Sequence, residues 1–212
     1  MVDFVASLQR FVEFWIGTII SPTATFSTLQ SESLWYGFGS VVAYATLYLV
    51  ATVFLVRNRL QPAFPPYLPI AEEVYYKWQL LFTLPVALLG WLILGGTAYL
   101  LAVWVFGASG TLGTYLLLLG FAFYIPQAVI VWPPEMVIAS LYPELWGADV
   151  NIPLLLDEVL LFPVYIWVGL LWSLSLTVVA VRVAGGTSWP SSTLVALLAI
   201  SATMAFYVFF IR

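Results

Sequence analysis

The chain has 212 residues, of which 63% are hydrophobic and only 8% charged, against about a quarter charged in a soluble domain. Such a composition excludes an ordinary soluble domain and describes an integral membrane protein, of a length that suits one bundle. Histidine and cysteine are absent, which removes disulfides, thiolate nucleophiles, imidazole bases and the common zinc and haem ligands; a net charge of −4 built from so few groups gives no reason to expect a nucleic-acid partner.

Residues 1–33 read as an amino-terminal region of short interfacial helices. Phe4, Leu8, Phe11, Trp15 and Ile19 recur at three- and four-residue intervals with Val5, Val12 and Ile16 beside them, while Asp3, Gln9, Arg10 and Glu13 take much of the other side. There is no basic start of the kind a cleaved signal peptide has. The pattern fits a helix lying in the membrane interface, or one packed on the edge of a bundle. Ser21 and Pro22 then suit a cap and first turn, predicting a second helix to about Gln30 with Phe26 and Leu29 toward lipid. Ser31, Glu32 and Ser33 supply the next cap.

Residues 34–212 predict an all-α membrane fold, a five-span bundle. The first span, 34–56, carries no charge and is bracketed by Trp35 and by Arg57 and Arg59, a length that crosses the hydrocarbon core. Gly37, Gly39, Ser40 and Ala43 give it a thin surface for close helix contact. Pro62, Pro65, Pro66 and Pro69 forbid a regular helix in the following loop, and Glu73 with Lys77 supports a helix start before the second span. That span, 80–106, contains Pro85, and Gly95, Ala98 and Ala102 form a small-residue packing strip. The turn Gly107 to Gly113 joins it tightly to the third span, 114–132, as an antiparallel hairpin. The third span holds Gly120 and Pro126 and is read as ending at Pro133-Pro134. A loop from Glu135 to Glu158 carries Glu135, Glu144, Asp149, Asp157 and Glu158 and no basic residue. The fourth span, 159–181, has Pro163 near its start, and the fifth is 191–211.

Drawn this way, the spans contain no Asp, Glu, Lys or Arg, which argues against a proton-coupled pump or a charge-lined channel. The acidic loop matches no calcium-binding spacing, and Asp157-Glu158 ahead of a helix reads as a cap, although a cation site built from these carboxylates stays open. Gly107, Gly110 and Gly113 have no accompanying lysine and follow a membrane helix, so a tight turn accounts for them better than a phosphate loop. Pro85, Pro126 and Pro163 can kink three spans and leave a cavity between them. Tyr124, Pro126 and Gln127, with Pro85 and Pro163, are therefore the candidate intramembrane pocket; the alternative is that the kinks only shape the packing. No catalytic residue, cofactor or metal ligand is expected.

The order of features in the hairpin resembles the Yip1 domain family: a small-residue helix with an aromatic end, a Gly-x-x-Gly turn, then a helix with an internal Tyr124-Ile-Pro126. Ser21-Pro-Thr-Ala-Thr-Phe26 is similar to that family's segment before the first span. Ile166-Trp-Val-Gly-Leu-Leu-Trp-Ser173, running on to Arg182-Val-Ala-Gly-Gly-Thr-Ser-Trp189, is similar to its fourth span and the link to the fifth. The resemblance covers about residues 20–212. It implies a small five-span protein with a cytoplasmic amino terminus, whereas the count of arginines and lysines on each side leans the other way. The thinness of that count favours the orientation the family implies. The trafficking members of the family bind small GTPases; this chain lacks their Asp-Leu-Tyr-Gly-Pro motif, their long cytosolic amino-terminal region and a basic residue at Ala108-Ser109, so GTPase binding is not carried over. The short amino-terminal region fits a prokaryotic member in the plasma membrane.

The expected function is a non-enzymatic membrane scaffold or interaction protein that organises or shapes the bilayer through residues 2–30. Its partners would be membrane lipids and, through self-association or otherwise, other membrane proteins. The alternative is a transporter or channel for a neutral or lipid-like molecule between the proline-kinked helices; an intramembrane enzyme comes third.

Overall fold

The computed structural model describes residues 2–62, 67–142 and 161–210, with the side chains of residues 2, 3 and 161–164 left aside. All regular structure among them is helical. Helices α1 (Val2–Ile20) and α2 (Pro22–Leu29) precede α3 (Leu34–Arg57). Helix α4 (Glu72–Leu100) runs on through a π turn, Leu101–Val105. A third long run is assembled from α5 (Leu112–Ala122), α6 (Tyr124–Pro126), a π turn at Gln127–Val131 and α7 (Trp132–Leu141). Helices α8 (Leu161–Gly185) and α9 (Trp189–Tyr207) complete the order. Five stretches are long and apolar enough to cross a membrane: Leu34–Arg57, Glu72–Val105, Leu112–Leu141, Tyr165–Gly185 and Trp189–Tyr207.

The third run is the axis of the bundle. Every residue from Tyr115 to Ala128 is buried, as expected of a helix that is apolar all round. Helices α3, α4 and α8 pack on it, α9 bridges α4 and α8, and α2 packs on α8. Apolar burial drives little association when lipid tails are as apolar as leucine, so close backbone approach decides such contacts. Gly37 and Gly120 supply it between α3 and α5. A Cβ on Gly120 would lie 2.6 Å from the Gly37 carbonyl oxygen, and one on Gly37 would lie 2.7 Å from the Leu117 Cα. On α4 and the π turn that continues it, Gly95, Ala98 and Ala102 are all buried, and Gly95 leaves room for the Leu116 side chain. Trp91, on the same face, donates from its indole to the Leu116 carbonyl at 2.8 Å.

The turns are closed by backbone geometry and caps. Gly107, at φ +64°, ends α4, and the Thr111 side chain caps α5 by accepting from the Thr114 N–H. The turn between them docks on the far end of α8, where the Ser109 N–H donates to the Gly185 carbonyl at 3.1 Å. Arg182, in the last turn of α8, donates to the Thr187 carbonyl and sits 4.6 Å from the Trp189 ring centroid. Ser188 then caps α9.

Helix α2 departs from the expectation that its apolar side faces lipid, and α1 packs one of its faces on the edge of the bundle. Phe26 and Leu29 of α2 are fully buried in the core rather than lipid-facing. Phe11 and Phe14 of α1 pack on Tyr36 of α3 and Phe121 of α5, with centroids 5.5–6.5 Å apart. Arg10 is paired with Glu32. The α1–α2 pair thus seats against α3 and α8, with Gly39 of α3 against the Phe11 ring. The Ser21 hydroxyl makes no capping bond, whereas Ser33 does cap α3.

The third run also differs from the sequence reading, continuing past Pro133-Pro134 to Leu141. The two prolines fall in the first turn of α7, where their missing N–H groups matter least. The wider π turn just before them re-aims the carbonyls their rings would otherwise meet. Pro65, Pro66, Glu144, Asp149, Asp157 and Glu158, and with them the cap and cation readings of that acidic loop, lie outside the described residues.

The Gly37–Gly120 crossing sets an expectation for stability. Gly120→Ala should cost about 1–3 kcal/mol by overpacking, whereas Gly96→Ala, whose Cβ would meet nothing within 4 Å, should be neutral or slightly stabilising. Thermal unfolding of the two variants in detergent checks both.

Candidate functional site

The break in the third run is where polar groups gather inside the bundle. Pro126 has no N–H to give to the carbonyl of Ala122, and the π turn after it shifts the register of the ladder. Unsatisfied carbonyls are costly at membrane depth, and α8 supplies a donor. The Ser173 hydroxyl donates to the Phe123 carbonyl at 3.2 Å and accepts from the Gln127 amide at 3.0 Å. Across the axis, the Tyr124 hydroxyl donates to the Ala87 carbonyl at 3.0 Å and lies 2.7 Å from the Tyr207 hydroxyl. Tyr207 reaches this point because Gly90 has no side chain; a Cβ there would strike its ring.

From Tyr124 the polar line continues onto α3. The rings of Tyr124 and Tyr44 are tilted against each other with centroids 5.3 Å apart. Tyr44, Tyr48 and Thr52 follow at four-residue intervals on one face of α3. The Gln79 amide lies 3.5 Å from the Thr52 hydroxyl. Gln79 is fully buried, and its Oε1 has no hydrogen-bond partner among the described residues.

Glu135 belongs to this seam. Trp132, Glu135 and Ala139 lie on one face of α7, and that face packs on α3. The Trp132 indole donates to the Leu47 carbonyl at 2.6 Å, and the Asn58 amide donates to the Ala139 carbonyl at 2.7 Å. The half-buried carboxylate of Glu135 is within electrostatic reach of the phenols of Tyr44, Tyr48 and Tyr165. Among the described residues the one ion pair is Arg10–Glu32, so no lysine or arginine there neutralises Glu135. The spanning stretches are therefore not free of ionisable side chains, contrary to the boundaries drawn from sequence: Leu112–Leu141 contains Glu135. A carboxylate beside a file of phenols can accept and pass on a proton or attract a cation. No group of three or more acidic, histidine or cysteine side chains able to hold a metal occurs among the described residues.

Of the residues chosen from sequence, Tyr124, Pro126 and Gln127 come together at the break and are buried. Pro85 does not join them: it is exposed on the outer side of α4. Pro163 lies within α8, with its side chain outside the described residues. Gly95, Ala98 and Ala102 face α5 as a packing strip. Sequence reasoning placed Glu135 in the acidic loop rather than in a helix of the bundle, and it missed Tyr44, Tyr48, Gln79 and Tyr207. Two signals could have found them: the Tyr44, Tyr48, Thr52 stripe, and the apolar run from Met136 to Leu141 that carries the helix beyond Glu135.

The Ser173–Gln127 pair gives a direct test of how the break is held. Ser173→Ala should destabilise by about 1–3 kcal/mol, since it strands a buried amide. Adding Gln127→Leu should recover part of that loss, because both partners of the bond are then gone. Unfolding of the two single variants and the double variant in detergent measures the coupling.

A family model described as the Yip1 domain matches residues 16–211, nearly the whole chain. Comparisons with curated proteins and with solved structures gave no match.

Proposed function

Because the chain belongs to the Yip1 domain family and is a multi-pass integral membrane protein, we propose that it works as a non-enzymatic membrane scaffold whose first helix organises the surrounding bilayer. The observation that carries this reading is the division of α1 into three faces. Phe11, Phe14, Trp15 and Thr18 turn to the bundle. Ala6, Gln9, Arg10 and Glu13 border a groove toward α2. Between these faces, Val5, Leu8, Val12, Ile16 and Ile19 are exposed and apolar, and Phe4 and Ile20 extend the surface. A helix anchored on one face with a second apolar face open suits insertion at the headgroup–acyl boundary. Each of those side chains would contribute on the order of 1 kcal/mol on burial in lipid. Lipids are the partners this reading requires; self-association and contacts with other membrane proteins belong to the same proposal, as does placement in the plasma membrane.

A second reading, transport of a small molecule, draws support from one observation. Glu135 lies in the third helical run without a basic partner among the described residues, and intramembrane carboxylates commonly serve coupled transport. The phenol file from Tyr48 to Tyr207 would be its route.

Reconstitution separates the two. Protein-containing vesicles should become smaller or tubulate, and the triple variant Val5→Ser, Val12→Ser, Ile16→Ser should lose at least half of that effect while keeping its thermal stability. Flux of an uncharged solute that is driven by a pH gradient and abolished by Glu135→Gln, with vesicle shape unchanged throughout, would replace the scaffold reading by the second.

A further inference from the structure

Helix α3 leaves the bundle through a bonded C-terminal exit. The Leu60 N–H reaches back to the Leu55 carbonyl at 3.0 Å and the Arg59 N–H to the Val56 carbonyl at 3.1 Å, the pair of bonds that closes a helix on a left-handed residue. That residue is normally glycine, which adopts the conformation without steric cost. Here it is Arg59, at φ +56°, the one non-glycine with a positive φ among the described residues. A strained backbone held by a long cationic side chain asks what the side chain does there.

Arg59 lines a cleft of about 440 Å³ together with Gln61 from the same exit and Glu73, Tyr76 and Lys77 from the first turns of α4. The Tyr76 hydroxyl donates to the Gln61 carbonyl at 3.4 Å and ties the two walls together. Neither Arg59 nor Lys77 is in an ion pair among the described residues. The cleft sits where two membrane-crossing stretches end and begin, Leu34–Arg57 and Glu72–Val105. Exposed Tyr67 and Trp78 lie beside it in sequence, the residue types that collect at headgroup level. Two cations and one carboxylate leave a single net positive charge, which matches one phosphodiester.

We propose that this cleft binds the head group of an anionic phospholipid. The phosphodiester is held by the Arg59 guanidinium and the Lys77 ammonium, and Glu73 accepts hydrogen bonds from head-group hydroxyls. Complementing the negative end of α3 is a weaker account of Arg59, because Arg57 already stands in the last turn of that helix. The backbone also gives a clean variant: Arg59→Gly relieves the left-handed strain while removing the ligand group.

The test is thermal unfolding of the full chain in neutral detergent, titrated separately with phosphatidylglycerol, phosphatidylcholine and inorganic phosphate, with native mass spectrometry counting retained lipid. Phosphatidylglycerol should raise Tm more than phosphatidylcholine. Arg59→Gly should be at least as stable as wild type without lipid, yet bind phosphatidylglycerol about tenfold more weakly and retain one fewer molecule. Lys77→Gln should weaken binding in the same direction. Equal stabilisation by both lipids, or full retention of the phosphatidylglycerol effect in Arg59→Gly, overturns the proposal. So does inorganic phosphate alone reproducing the whole shift, since the site would then serve a soluble anion.

Discussion

The contact on which the bundle rests is the meeting of two backbones, α3 and α5, at Gly37 and Gly120. In lipid there is little gain from hiding one apolar side chain against another, so association depends on close approach and on hydrogen bonds made where water is absent. With no side chain on either glycine, α3 comes within contact of the α5 main chain. The third helical run can then be enclosed by α3, α4 and α8 at once. The strip on α4 acts in the same way from another side, and its indole bond to Leu116 adds direction to the close approach.

Enclosing a helix that is itself broken creates a demand for polar partners. The proline and π turn that interrupt the third run release backbone groups in the buried interior of the bundle, and side chains from neighbouring helices answer them. Ser173 satisfies the Phe123 carbonyl and is itself held by the Gln127 amide, while Tyr124 and Tyr207 converge on Ala87. These bonds connect α4, α8 and α9 through one break. The same geometry that stabilises the axis therefore lines up the phenols that reach toward Glu135, and packing and any chemistry share one set of residues.

Much of this was legible in the chain. Charge-free stretches with aromatic and basic borders marked the membrane-crossing helices, and Gly37, Gly95, Ala98 and Ala102 marked where they touch. Tyr124, Pro126 and Gln127 were singled out as a pocket because proline and glutamine are conspicuous inside an apolar run; in the fold they lie together, buried and bonded to neighbouring helices. Pro85 was grouped with them wrongly in space, since a helical position alone does not say which side of a kinked helix faces inward. Glu135 was hidden by Pro133-Pro134, which end a regular helix but not one preceded by a π turn. Tyr207 was hidden because its partner is a main-chain carbonyl exposed by Gly90, a relation no periodicity reports. For α1, one stripe concealed two faces, only one of which meets the bundle.

The seating of α2 has a consequence for biosynthesis. Phe26 and Leu29 are fully enclosed, and α8 forms part of the wall around their helix. Helices α1 and α2 leave the ribosome before α8 and therefore have no finished place to go until residues 161–185 have been made and inserted. In the interval, α1 and α2 have only the membrane surface and the α3–α5 wall to rest on. Final docking of α1 and α2 is thus coupled to completion of α8, so helices made early are among the last to settle.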